Sequence, residues 1–123
     1  MTGFRLDDDR LSFLRSKGDP TMKFLTKKIE NSLMTSEQFD ELPQEAKKFQ
    51  CKFFSIVSDH RWYIAAYDPE YDAFYGYVTN SGIKEWGSTS RAELQSLFNR
   101  KMVERDLYFD PTPIEDITSG RRF

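Results

Sequence analysis

The sequence predicts an α+β fold: a four- to five-stranded, mainly antiparallel sheet, short N-terminal helices and one helix before the last strand. Two stretches carry that prediction. From Cys51 to Val78, three runs rich in β-branched and aromatic residues are separated by polar breaks at Ser58-Asp59-His60 and Asp68-Pro-Glu-Tyr-Asp72. Such runs suit a pleated, half-buried surface, and the Pro69 break supplies turn chemistry, so a three-stranded meander follows. The second stretch is Ser90-Arg-Ala-Glu93, a capping-box pattern that opens a helix with Leu94, Leu97 and Phe98 on one face.

The remaining elements are weaker. Gly18-Asp-Pro20 is a breaker cluster that divides residues 1–21, read as an appended, flexible extension, from a single domain at 22–113. Met22, directly after it, reads as an internal start. Thr26 is a candidate N-cap for a helix carrying Ile29, Leu33 and Met34, and Ser36 for a second with Phe39 and Leu42, which Pro43 ends. After the turn signal Thr79-Asn-Ser-Gly82, Ile83–Trp86 reads as a short strand ended by Gly87. Val103 to Phe109 reads as the last strand, with Val103, Arg105, Leu107 and Phe109 on one face. Residues 114–123 read as a polar, frayed tail.

Composition excludes several classes of function. Of 123 residues, 18 are basic and 20 acidic, a net charge of −2 that suits neither a general polyanion binder nor an acidic mimic of DNA. No apolar run approaches the roughly 20 residues of a membrane helix. No secretory pattern opens the chain, so the cytoplasm is the default expectation. The lone Cys51 cannot form an internal disulfide and reads as a small buried apolar residue.

A series of short pieces in fixed order resembles a known family. Lys23-Phe-Leu-Thr26, Cys51-Lys-Phe-Phe54, Arg61-Trp-Tyr63, Phe74-Tyr-Gly-Tyr-Val78, Glu85-Trp-Gly87, Ser90 with Glu93-Leu94, and Val103-Glu-Arg-Asp-Leu-Tyr-Phe109 look like the domain-of-unknown-function family twenty-nine fifty-eight. The resemblance runs from about Met22 to Pro113. It departs at Ser88-Thr89, where the family tends to carry aromatics, and at the shortened Asp68–Asp72 break, so the loop rim is not carried over. The family has no established activity. What it implies is an accessory protein of a plasmid, phage or other mobile element.

Chemistry-bearing residues are few. His60, the one histidine, could be a base oriented by Asp59, but an ordinary turn histidine is the simpler reading. One histidine and one cysteine make a zinc site unexpected, and Asp68, Glu70 and Asp72 lack the glycine and late glutamate of a calcium loop. No glycine-rich phosphate loop or nucleophile elbow is present, so no cofactor is expected. Arg105 stands on an apolar face and needs a partner; Glu93 or Asp59 could form a structural ion pair with it, and a carboxylate or phosphate ligand is the alternative. Five of the six tyrosines cluster at Tyr63, Tyr67, Tyr71, Tyr75 and Tyr77. Simple alternation places Tyr63 with Tyr67, and Tyr75 with Tyr77, on a sheet face opposite Trp62 and Ile64. That face, through Tyr63, Tyr67, Tyr75 and Tyr77, is the expected binding surface for a protein partner. The leading function is thus a non-enzymatic protein-binding module. The alternatives are a nucleic-acid-associated protein using Lys47, Lys48, Lys52 and Arg61, and a small hydrolase centred on Glu104 and Asp106.

Overall fold

A computed structural model describes residues 22–120. The expected extension at 1–21 lies outside them. The elements in chain order are α1 (Lys27–Ser32), α2 (Ser36–Asp40), β1 (Lys48–Phe49), β2 (Cys51–Ser55), β3 (Arg61–Asp68), β4 (Ala73–Asn80), β5 (Ile83–Ser90), α3 (Arg91–Asn99), β6 (Val103–Arg105), β7 (Thr112–Pro113) and α4 (Ile114–Thr118). A five-stranded antiparallel sheet runs β5-β4-β3-β2-β6, and β1 pairs with β7 beside it. The α+β expectation and its meander hold.

Local chemistry sets the helix starts. Thr26 caps α1, its hydroxyl accepting from the Ile29 N–H. The second cap is Thr35 and not Ser36: Thr35 and Gln38 complete a capping box, in which the hydroxyl serves the Gln38 N–H and the amide oxygen serves the Thr35 N–H. Ser90 caps α3 through the Glu93 N–H.

Both faces of the sheet are covered. On one, Cys51, Phe53, Trp62, Ile64, Phe74 and Val103 pack against Phe24 and Leu94, the latter from α3. Phe24 lies flat on Phe53, ring centroids 4.9 Å apart. On the other, Tyr63, Ala65 and Tyr77 pack against Phe39 from α2, Phe49 from β1, and Ile114 and Ile117 from α4. Among the described residues no helix is long and apolar enough to cross a membrane.

Three expectations are corrected here. The last strand stops at Arg105 and does not reach Phe109, because Asp106 begins a turn in which its own carboxylate accepts from the Tyr108 N–H. The stretch after Pro113 is not a frayed tail: Ile114 and Ile117 are buried, and one apolar face is enough to dock the short α4. The strand expected at Ile83–Trp86 continues to Ser90, since β4 offers a partner to every residue of it.

Candidate functional site

The tyrosine cluster does not form the expected exposed face. Tyr63 is 1 % exposed and Tyr77 8 %, both under Phe49, with centroids 5.6 and 6.3 Å away. The helices and β1 that cover them come from segments whose apolar content sequence periodicity underrates, such as the isolated Phe49. Alternation fails too. The β3–β4 register shifts between Ile64 and Ala66, so a bulge turns Tyr67 to the face opposite Tyr63. There Tyr67 packs on Phe74, and its hydroxyl donates to Asp72. That bond and burial push its phenol pKa up. Burial also pushes up Tyr63 and Tyr75, the latter with help from Asp40. Only Tyr75 of the second face stays half-exposed beside a cleft.

Arg105 is 6 % exposed. Its Nε and Nη2 donate to the main-chain carbonyls of Phe24 and Lys23 at 3.2 and 3.1 Å. The guanidinium thus ties the segment before α1 to the sheet. Glu93 instead opens α3, where its main-chain N–H is engaged by Ser90, and the Asp59 carboxylate accepts from the Ser81 N–H at 2.9 Å. Arg105 also borders a cleft of about 220 Å³ with Lys28, Ser32 and Gln50.

The other sequence candidates disperse. Lys47 lies over the Phe39 ring, Lys48 is exposed on β1, and Lys52 is paired with Asp106 at 3.7 Å. Asp106 is held by that pair and by its turn, while Glu104 sits opposite Phe54 in the β2–β6 register. His60 stacks on Trp62 at 3.9 Å, and its pKa is lowered by burial, opposed by Asp59. Among the described residues no three His, Cys, Asp or Glu side chains are gathered to hold a metal ion.

What sequence reasoning missed is the edge at β5. All eight residues of β5 pair with β4 in unbroken register. Among the described residues nothing pairs with its other side. The hairpin that presents it turns on Ser81 and Gly82, with φ of 53° and 88°. Positive φ at both central positions is the type I′ geometry that follows strand twist, and glycine takes it without strain. Trp86 is 38 % exposed on this strand and anchors an aromatic cluster: Phe49, Tyr75 and Tyr77 lie 5.5, 5.6 and 5.5 Å from it. Beside Trp86 opens a cleft of about 430 Å³ bounded by Phe39, Asp40, Lys47, Tyr75 and Ile114. Ile83, at the strand's start, is 62 % exposed. The missed signal was Gly87-Ser-Thr-Ser90, whose small polar residues carry no strand pattern.

No family model matches the chain, and neither the curated proteins nor the solved structures compared with it include a match. The resemblance described above is neither supported nor opposed by these comparisons.

Proposed function

We propose that this chain is a non-enzymatic protein-binding module that takes an extended segment of a partner along the side of β5 that no described strand pairs. The observation that carries this reading is an eight-residue edge strand in unbroken register, with a half-exposed tryptophan beside a cleft of mixed aromatic and polar lining. An extended peptide laid on such an edge gains main-chain hydrogen bonds, and every second side chain falls on one face, where a pocket can select it. Trp86 supplies rigid, amphipathic contact area of the kind that dominates binding energy. Sheets ordinarily blunt their edges with proline, bulges, very short strands or charges; β5 has no proline, bulge or short run, and carries only the charges Lys84 and Glu85. The resemblance adds a setting to the proposal, a mobile genetic element.

Short random peptides displayed on phage test the reading against the full chain. Selected peptides should be extended, free of proline at alternate positions, and should shift the backbone amide resonances of Lys84, Trp86 and Ser88. Peptides that leave β5 unshifted and perturb the cleft at Arg105 instead would overturn it.

A further inference from the structure

We infer that one strand able to occupy this edge is β5 of a second copy, so that two chains join into a continuous ten-stranded sheet about a two-fold axis. The inference rests on the edge-binding reading above and names its partner. A two-fold axis perpendicular to the sheet pairs each residue with one pointing to the same face, so only alternate registers are open. Those registers are not equivalent. Centring the axis on Lys84 puts lysine opposite lysine, and centring it on Glu85 puts glutamate opposite glutamate; both arrangements are destabilising. Centring it on Trp86 places Lys84 opposite Ser88 of the other copy, Glu85 opposite Gly87, and Trp86 opposite its twin. Both edge charges then face small residues, and Lys84 lies diagonal to the other copy's Trp86, within reach of its ring face. Moving the axis on to Gly87 separates the tryptophans and sets Ser90, which caps α3, opposite Lys84.

Hydrogen bonding permits the Trp86 register, as it permits every same-face register, so the side-chain pairs decide between them. In the β4–β5 hairpin the two-residue turn makes Asn80 and Ile83 the closing pair. By antiparallel alternation the main-chain groups of Lys84, Trp86 and Ser88 then face away from β4. These are the groups that the Trp86-centred register sets against one another. The pairing would also bring the two clefts beside Trp86 together across the axis.

Sedimentation of the full chain over a concentration series tests the inference. The expected result is a shift from 14.5 kDa toward twice that mass. Ser88→Lys sets lysine opposite Lys84 twice in each dimer and should weaken association roughly tenfold. Adding Lys84→Glu to Ser88→Lys should restore it, because the opposed pair becomes attractive. A chain that stays monomeric overturns self-pairing, and so does a dimer indifferent to Ser88→Lys. Peptide-induced shifts at β5 in a monomeric chain would overturn self-pairing and leave the edge-binding reading standing. Dimers with no peptide binding at β5, yet sensitive to the charge swap, would support self-pairing and narrow the edge to that one partner.

Discussion

The two edges of the five-stranded sheet are handled in opposite ways. β6 ends one edge with three residues, two of them buried, and the Arg105 guanidinium ties the Lys23–Phe24 main chain to the sheet. β5 ends the other with eight residues, and the side chains from Ile83 to Trp86 are all exposed. A three-residue edge offers little template to another strand, whereas a long regular one offers more. The two edges differ in what they expose: β6 carries a buried arginine bonded to main-chain carbonyls, and β5 leaves a tryptophan half-exposed. Arg105, read from the sequence as a structural ion pair with a carboxylate or phosphate contact as the alternative, donates to the Phe24 and Lys23 carbonyls.

The largest effect is expected where both edges share a support. A Cβ added at Gly76 would meet the Tyr63 carbonyl oxygen at 1.9 Å and the Tyr63 carbonyl carbon at 3.0 Å. Backbone cannot move away as a side-chain tip can, so β3 and β4 must separate. Gly76→Ala should cost more than about 4 kcal/mol, measured by chemical unfolding. An ordinary melting temperature in that variant would show that β3–β4 tolerates separation, and that the edges are carried independently.

Next is the closed edge. Arg105→Ala leaves two carbonyls without their charged donor, and should cost about 3 kcal/mol. Cys51 provides a local probe, since β2 lies beside β6. Its thiol pKa is pushed up to about 12 by burial, against the lowering influence of Arg105, so it is almost wholly protonated at neutral pH and alkylates only when the strand opens. Iodoacetamide labelling of Cys51 should therefore accelerate in Arg105→Ala. Unchanged labelling with lowered stability would place the loss elsewhere than at the β6 edge.

The sequence made the meander and the Thr26 and Ser90 caps legible, because each depends on neighbours within a few residues. It did not make the candidate site legible, for three physical reasons. One inserted residue, near Ala65, reverses which face Tyr67 takes, and no local signal marks a bulge. Phe49 and Ile117 are apolar residues in polar company, and only the fold shows that together they roof Tyr63 and Tyr77. The length of β5 is decided by its partner: Gly87 to Ser90 are extended because β4 pairs with them, whatever their own preference.

The smallest effect on stability is expected at the open edge, and there the contrast between the edges is most exposed to test. Ser88 is exposed, and by alternation its N–H faces away from β4. Proline is tolerated on an edge strand when its missing N–H would have faced solvent, and the preceding Gly87 is already extended, as a residue before proline must be. Ser88→Pro should therefore change unfolding free energy by less than about 1 kcal/mol and leave Cys51 labelling at the wild-type rate. The same change removes one main-chain donor from the edge and places a ring in the path of an incoming strand, so peptide binding and self-association at β5 should both be lost. A variant equal to wild type in stability and deficient in binding would fix the division of labour between the two edges. If Ser88→Pro unfolds the protein as readily as Arg105→Ala, then β5 is as firmly built into the fold as β6, and the open edge is no separate working surface.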